Sequence, residues 1–224
     1  MDTPSPELPP QTDELKNLLA ARQIDVTDEQ IAQLDDYRRL LWSWNERMNL
    51  TRHTTLEKFV DRDVVDSHEL SKLLERGERV LDVGTGGGVP GLVVAILRPD
   101  LSISVCESTQ KKARAVETMI TDLGLPVRVF PNRAEEVLEI TTFDTLVARA
   151  LAPLAKVLTF LQPHWDAFDR LLLIKGRSWV DERSEARQAG VMRGLELRKA
   201  ATYETSGTGA ESVILSIRKG TETN

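Results

Sequence analysis

Residues 79–91 read Arg-Val-Leu-Asp-Val-Gly-Thr-Gly-Gly-Gly-Val-Pro-Gly, and this stretch decides the fold. Its first half is a short apolar run around Asp82, which is typical of a buried parallel strand. Glycines follow at positions 84, 86, 87, 88 and 91, and the apolar residues 92–97 then predict a buried helix. Glycine lets the backbone approach a ligand, and a helix N-terminus presents free N–H groups. The stretch therefore predicts the nucleotide-binding turn of a doubly wound α/β protein.

The composition allows a sizeable core and argues against a secreted or membrane protein. The chain has 224 residues, of which 41% are hydrophobic, enough for one or two domains. Its single cysteine, Cys106, excludes an intramolecular disulfide. No run approaches the roughly 18 apolar residues of a membrane span, and the N-terminus lacks the pattern of a signal peptide. We therefore expect a cytoplasmic protein with no membrane partner.

The formal net charge of −6 argues against non-specific coating of nucleic acid, because such binding depends on neutralising many phosphates. It leaves RNA open as a substrate, since a local basic patch on an acidic protein is enough. Basic side chains near the ends of predicted elements are the candidates for such a patch: Arg47, Arg52, Lys111, Lys112, Lys175 and Arg177.

The chain before the glycine turn is predicted to be a tail and a helical extension. Residues 1–11 hold four of the ten prolines and show no periodicity, which indicates a disordered tail. Residues 12–76 are predicted to be helical, with helices over 13–22 and 56–74. Between these two, a capping box at Thr27 opens a long amphipathic helix whose apolar stripe is Ile31, Leu34, Tyr37, Leu41, Trp44 and Met48.

Residues 77–219 are predicted to be a Rossmann-like domain, because strands and helices alternate regularly. Two further segments, 195–203 and 212–218, are predicted to close the sheet as an antiparallel pair joined through Gly207 and Gly209. The result is a mostly parallel seven-stranded sheet with helices on both faces. The other predicted strands are 80–83, 101–106, 127–130, 143–148 and 171–174, and the helices after residue 97 are 111–123, 154–161 and 181–192.

The glycine turn is compatible with two cofactors. Residues 86–91 satisfy the dinucleotide pattern G-x-G-x-x-G, so an NAD-dependent oxidoreductase is one interpretation. Asp82 lies two residues before Gly84, where a carboxylate suits the ammonium group of S-adenosylmethionine better than a pyrophosphate. The closing strand pair also favours S-adenosylmethionine. A non-enzymatic module that binds a partner and senses a cofactor remains a third possibility.

Two segments beyond the turn are predicted to complete the cofactor site. Glu107 ends the second predicted strand at about 20 residues from the turn, the spacing at which doubly wound folds place an acid for the ribose hydroxyls. Residues 132–135, Asn-Arg-Ala-Glu, follow the third strand, where an adenine ring would lie. Together with Gly86 and Gly88 of the turn, Asp82 and Glu107 are therefore expected to bind the cofactor.

The ordered motifs resemble those of the RsmG (GidB) family, bacterial methyltransferases that modify guanine N7 in 16S ribosomal RNA. Trp44-Asn45 and Asn49-Leu50-Thr51 come first, then Asp66-Ser67, and then the glycine turn with its Val89-Pro90-Gly91 extension. Glu107-Ser108, Lys111-Lys112, Arg133-Ala134-Glu135-Glu136, Phe143-Asp144, Arg149-Ala150 and Lys175-Gly176 follow. The resemblance covers about residues 40–176 and implies a class I S-adenosylmethionine-dependent methyltransferase.

The resemblance also implies roles for individual residues. Five residues would contact S-adenosylmethionine by this comparison: Gly84, Val89, Ala134, Glu135 and Arg149. The substrate would be 16S ribosomal RNA or the small ribosomal subunit, and we expect a monomer. The chain departs from the family at Asp63, where a histidine is usual, so the RNA side of the site is the part that this difference affects.

The expected chemistry needs no general base and no metal. Guanine N7 carries an in-plane lone pair and is an acceptor on the base edge, so it can attack a methyl group without losing a proton. Orientation alone is then the main contribution of the enzyme. The three histidines, His53, His68 and His164, are scattered and lack the spacing of metal ligands. Arg149 is the one candidate with two possible roles, at the cofactor or at a phosphate of the target.

Overall fold

The computed structural model describes residues 12–205 and 209–220. The predicted disordered tail, residues 1–11, and Gly207 in the predicted closing turn lie outside this part of the chain. Within the described residues, no helix is long and apolar enough to cross a membrane.

Helices and the loops between them form the described chain from residue 12 to residue 71. The helices are α1 (Glu14–Ala21), α2 (Asp28–Asn45), α3 (Leu56–Lys58), a π-helical turn (Phe59–Val64) and α4 (Val65–Ser71). The predicted capping box at the start of α2 is confirmed: Thr27 accepts a hydrogen bond from the Gln30 backbone, and the Gln30 side chain accepts one from the Thr27 backbone.

The predicted seven-stranded sheet is confirmed, with strand order β3-β2-β1-β4-β5-β7-β6. Strands β1 to β5 are parallel, whereas β7 runs antiparallel to both β5 and β6. The strands are β1 (Arg79–Val83), β2 (Ser102–Cys106), β3 (Arg128–Phe130), β4 (Phe143–Arg149), β5 (Phe168–Lys175), β6 (Leu195–Thr205) and β7 (Ala210–Lys219).

Helices cover both faces of the sheet. The first helices of the chain pack with α5 and α6 in one hydrophobic core, and α7, α8 and α9 pack in a second core on the opposite face. The helices of the α/β part are α5 (Gly91–Leu97), α6 (Gln110–Leu123), α7 (Ala134–Leu138), α8 (Leu154–Leu161) and α9 (Trp179–Gln188), and a short 3₁₀ turn spans Gln162–His164.

Two predicted helices differ from the structure at their ends. The helix predicted over 56–74 contains the π-helical turn and ends at Ser71. The backbone N–H groups of Leu73 and Leu74 then donate to carbonyls three residues earlier, as in a turn. The helix predicted over 181–192 is α9, which begins at Trp179 and ends at Gln188, shortly before Gly190 adopts a positive φ of 74°. Element ends are the least specific part of an apolar pattern.

The long helix α2 contacts the glycine turn directly. The Tyr37 hydroxyl donates a hydrogen bond to the Gly87 carbonyl at 2.9 Å, and the Tyr37 side chain is fully buried. At the other end of α2, the Gln30 amide donates to the carbonyls of Ile96 and Leu97, both at 3.0 Å. These carbonyls end α5 and lack partners within their own helix. The helical extension is thus fixed to both ends of the turn-and-helix unit that forms the site.

We expect Gln30→Ala to lower the free energy of unfolding by about 1–3 kcal/mol, because it removes half of a capping box and leaves two helix-end carbonyls without their donor. Gln33→Ala is the control, since Gln33 lies on the same helix and its side chain makes no hydrogen bond to other described residues. Urea unfolding followed by circular dichroism measures both variants. Equal losses in the two variants would contradict this role of Gln30.

Candidate functional site

A cavity of about 270 Å³ lies where the parallel strands β1, β2, β3 and β4 end. Ligands of doubly wound folds bind at this edge of the sheet, outside the carboxyl ends of the strands. Gly84, Ala134 and Glu135, all predicted site residues, line it. The remaining walls are Val83, Cys106, Ser108, Asn132, Arg133, Leu151, Ala152, Lys156 and Phe160.

The first glycine of the turn has a backbone conformation and a close neighbour that both favour glycine. The Gly84 backbone N–H donates to the Cys106 carbonyl at 2.9 Å, which ties the turn to the end of β2. Gly84 has a φ of +68°, and a Cβ placed on it would lie 2.4 Å from the Leu151 side chain. A side chain there would therefore strain the backbone and collide with the wall of the cavity.

Asp82 holds the turn from beneath. One carboxylate oxygen, Oδ2, accepts hydrogen bonds from the Thr85 hydroxyl at 2.5 Å and from the Gly91 N–H at 2.8 Å. The other oxygen, Oδ1, has no partner among the described residues, and the side chain is fully buried. Burial raises the pKa of Asp82 to about 6, against the hydrogen bonds from Thr85 and Gly91, which lower it. The buried carboxylate thus positions the turn, and the direct contact with a ligand that the sequence predicted for Asp82 stays a prediction.

Glu107 connects the second strand to the turn. Its carboxylate accepts hydrogen bonds from the Gly86 N–H at 3.2 Å and from the Thr109 N–H at 2.7 Å. The side chain is mostly buried, yet the neighbouring residues Cys106 and Ser108 both line the cavity. Each oxygen of a carboxylate can accept two hydrogen bonds. Glu107 therefore has acceptor capacity left for hydroxyl groups at the position that the sequence predicted.

The far wall of the cavity is apolar and was missed by the sequence analysis. Leu151 and Ala152 follow the end of β4, and Phe160 projects from α8. The positions of these three residues depend on how α8 packs on the sheet. An apolar pattern in the sequence predicts the helix but not this packing. Cys106 also lines the cavity, and burial raises the pKa of its thiol to about 12, so it is not a thiolate nucleophile at neutral pH.

A second cavity, of about 400 Å³, adjoins the first because Ala152 lines both. Its walls come from the π-helical turn, the end of β4, the end of β5 and α9. It brings together two residues that the sequence proposed for different roles, Arg149 and Lys175. The other lining residues are Arg62, Ala150, Pro153, Ile174, Gly176 and Glu182.

Arg149 is held by two buried aspartates of the helical extension. Its guanidinium donates to Asp63 Oδ1 at 2.6 Å, to Asp66 Oδ2 at 3.3 Å and to the Arg62 carbonyl at 2.5 Å. Burial lowers the pKa of Arg149, but the charges of Asp63 and Asp66 outweigh it, and the net pKa is raised. Arg149 is thus a fixed cation that borders the second cavity and does not line the first one.

Asp63 is fully buried and has a second partner. The His53 ring nitrogen Nδ1 lies 2.8 Å from Asp63 Oδ1, the oxygen that also binds Arg149. His53 itself is fixed by Trp42, whose indole N–H donates to the His53 carbonyl. The neighbouring Asp66 accepts from the Tyr203 hydroxyl of β6 at 2.8 Å, so the cluster joins the helical extension to the sheet.

The remaining predicted residues lie around these two cavities. Val89 is buried in the core beneath the turn, and Gly88 packs against Leu92 and Tyr37, so both shape the turn from behind. Gly86 is partly exposed and its Cα faces open space. The predicted basic residues outside the second cavity line neither cavity: Arg47 and Arg52 lie in the loop after α2, Lys111 and Lys112 at the start of α6, and Arg177 after β5.

No group of three or more histidine, cysteine, aspartate or glutamate side chains suited to hold a metal ion occurs among residues 12–205 and 209–220.

The raised pKa of Asp82 predicts a pH-dependent stability. A carboxyl with a folded pKa of about 6 and an ordinary unfolded value near 3.8 stabilises the fold below the unfolded value, and this contribution is lost as the pH rises through 6. Between pH 4 and pH 7.5, the free energy of unfolding of the wild-type protein should therefore fall by up to about 3 kcal/mol relative to that of Asp82→Asn. Urea unfolding at a series of pH values measures the difference.

Asp122→Asn, at an exposed position on α6, is the control for this experiment. Its difference from wild type should stay constant over the same pH range. If the difference in the free energy of unfolding between wild type and Asp82→Asn is also constant over this pH range, the raised pKa of Asp82 is contradicted.

Comparison with protein families matches residues 30–213 to GidB, described as rRNA small subunit methyltransferase G. Curated relatives carry the same description. That from Rhodopirellula baltica is 46% identical over 198 residues, covering 88% of this chain and 86% of its own. That from Sorangium cellulosum is 35% identical over 211 residues, covering 91% and 86%. The match includes the glycine turn, both cavities and the Asp63–Arg149 cluster.

Solved structures with the same fold include methyltransferases and a protein bound to S-adenosylmethionine. A mutant of MtNAS in complex with S-adenosylmethionine superposes with a TM-score of 0.54 and 18% identity, covering 92% of this chain and 76% of that one. Precorrin-6y C5,15-methyltransferase from Geobacter metallireducens superposes with a TM-score of 0.51 and 14% identity, covering 69% of this chain and 87% of that one. These likenesses support the fold alone. On the family match and the curated relatives, the chain belongs to the rRNA small subunit methyltransferase G (GidB) family and is an S-adenosylmethionine-dependent methyltransferase, not an NAD-dependent oxidoreductase.

Proposed function

We propose that this chain methylates guanine N7 in small-subunit ribosomal RNA. The observation that carries the proposal is the pair of adjoining cavities at the carboxyl ends of the strands, which meet at Ala152. The first has the glycine turn and the acid of a cofactor site. The second is bordered by cations, as a site for a nucleotide of an RNA requires. Relatives named as small-subunit ribosomal RNA methyltransferases support the choice of RNA.

The residues at the first cavity fit S-adenosylmethionine, which supplies an electrophilic methyl group. Gly84 of the turn lines this cavity opposite Leu151, and a Cβ on Gly84 would lie against the Leu151 side chain. We propose that Glu107 accepts hydrogen bonds from the ribose hydroxyls, while Ala134 and Glu135 border the adenine. Asp82 acts indirectly by fixing Thr85 and Gly91, although its unpartnered oxygen leaves capacity for a water-mediated contact with the ammonium group.

The second cavity suits a nucleophile that needs no deprotonation. Of its titratable groups, Arg62, Arg149 and Lys175 are basic, and Glu182 is the one acid. Burial raises the pKa of Glu182, but hydrogen bonds from Lys175 and Leu154 outweigh it, and the net pKa is lowered. An ionised carboxylate with a depressed pKa is a weak base. Guanine N7 uses its own lone pair, so these residues need only hold the base in line with the methyl group.

The assignments outside the two cavities are part of the same proposal. In this proposal Arg47, Arg52, Lys111, Lys112 and Arg177 contact phosphates around the site, and Lys175 contacts the RNA nucleotide inside the second cavity. We propose that residues 12–76 form a helical extension that supports the turn, that residues 77–219 form the methyltransferase domain, and that the protein acts as a cytoplasmic monomer. Helix α2 supports the first point, since Tyr37 binds Gly87.

Deletion of the gene should remove one 7-methylguanosine from 16S ribosomal RNA, and a plasmid copy should restore it. Mass spectrometry of nuclease fragments of the RNA measures the modification and locates it in the sequence. The control is the same strain with an empty plasmid. An unchanged 7-methylguanosine content in the deletion strain would contradict the proposed function.

Gly84→Ala should weaken the binding of S-adenosylhomocysteine at least tenfold, because the new Cβ collides with Leu151 at the wall of the cavity. Gly77→Ala is the matched control. Gly77 also has a positive φ, of +80°. It lies in the turn before β1, and a Cβ added to it would face open space. Both variants should lose stability, and only the first should lose affinity by calorimetric titration. Equal affinities would place the ligand elsewhere.

A further inference from the structure

The second cavity contains a pair of side chains whose hydrogen-bonding groups match one base better than the others. Lys175 ends β5, and Glu182 lies in the first turns of α9. The Lys175 ammonium donates to Glu182 Oε2 at 2.7 Å and to the Ala152 carbonyl at 2.7 Å. The pair therefore lies next to Ala152, the residue that both cavities share.

Each member of the pair keeps one hydrogen-bonding position open among the described residues. An ammonium group has three donors, and Lys175 uses two of them on Ala152 and Glu182. A carboxylate has about four acceptor positions. Glu182 fills three, with Lys175, with the Leu154 N–H at 2.8 Å and with the exposed Ser178 hydroxyl at 3.1 Å. The open acceptor is therefore on Oε1, the oxygen that Ser178 contacts.

An adjacent donor and acceptor complement the edge of guanine. Guanine presents the O6 acceptor next to the N1–H and N2–H₂ donors, whereas adenine presents an amino group at position 6 and an acceptor at position 1. With N7 directed at the cofactor cavity, O6 lies next to that cavity on the base. Lys175, which binds Ala152 at the junction, is placed for O6, and Glu182, with its one open acceptor, for the N2–H₂ group.

We propose that the Lys175–Glu182 pair selects guanine in the second cavity, with the open acceptor on Glu182 Oε1 accepting from the N2–H₂ group and Lys175 donating to O6. This inference rests on the proposed function and adds the residues that determine its specificity. An adenine in the same orientation would turn a donor toward the ammonium group and an acceptor toward the carboxylate. Both contacts would be repulsive. A site discriminates strongly against a substrate that leaves its buried polar groups unpaired.

Inosine provides the test, because it keeps O6, N1–H and N7 of guanosine and lacks only the 2-amino group. After the methylated nucleotide has been located, RNA carrying guanosine or inosine at that position is compared in single-turnover methyl transfer. The wild-type protein should prefer guanosine by roughly 10-fold or more, the usual loss for one hydrogen bond to a charged group. In Glu182→Ala the rate on guanosine should fall, and the preference should shrink to about 1–2-fold.

Glu185→Ala is the matched control, since Glu185 is exposed on the same helix, outside the cavity, and should keep the wild-type rates and preference. Binding of S-adenosylhomocysteine to the first cavity confirms that each variant is folded. Should Glu182→Ala fail to fold, Glu182→Gln keeps the side-chain size and should still reduce the preference about threefold or more.

The outcomes separate the two proposals. A variant that slows transfer to guanosine and inosine equally, with the preference intact, would overturn the role of Glu182 and leave the proposed function standing. A wild-type protein that transfers no methyl group to guanine N7 would overturn both.

Discussion

The two hydrogen bonds that Asp82 accepts, from Thr85 and from Gly91, are the interaction on which the rest of the site depends. They connect the last residues of β1 to the beginning of α5 across the glycine turn. A buried carboxylate is expensive unless its oxygens are satisfied, and one oxygen of Asp82 has no partner among the described residues. The raised pKa of Asp82 is the measurable sign of this cost. Asparagine, the neutral side chain of the same size, would also accept both bonds, but it would place a buried amide group beside them. The fold therefore tolerates the carboxylate.

The helices before β1 contact the candidate site directly. Helix α2 binds the turn through Tyr37, and the buried aspartates Asp63 and Asp66 fix Arg149 at the end of β4. Removing one partner from such a buried ion pair leaves an uncompensated charge, which costs several kcal/mol. The His53 ring, from the loop after α2, adds a second partner for the buried Asp63 carboxylate.

The sequence predicted the elements of the sheet and the position of the cofactor site, because both depend on local patterns. An apolar run, a row of glycines and an acid at the end of the next strand determine where the turn, Gly84 and Glu107 lie. The bonds from Asp82 to Thr85 and Gly91 could not be predicted from the sequence, since the direction of a side chain at the end of a strand depends on the pleat and on the helix packed against it. The sequence also gave no signal for Glu182, whose place beside Lys175 is set by the packing of α9 against the sheet.

The central claim is that the cofactor and the target base occupy adjoining cavities that meet at Ala152. A crystal structure of the protein with S-adenosylhomocysteine and guanosine 5′-monophosphate tests it most directly. We expect the thioether sulfur to lie beside Ala152 in the first cavity, with guanine in the second and N7 facing the sulfur. Guanine bound outside the second cavity, or with N7 turned away from the sulfur, would contradict the claim.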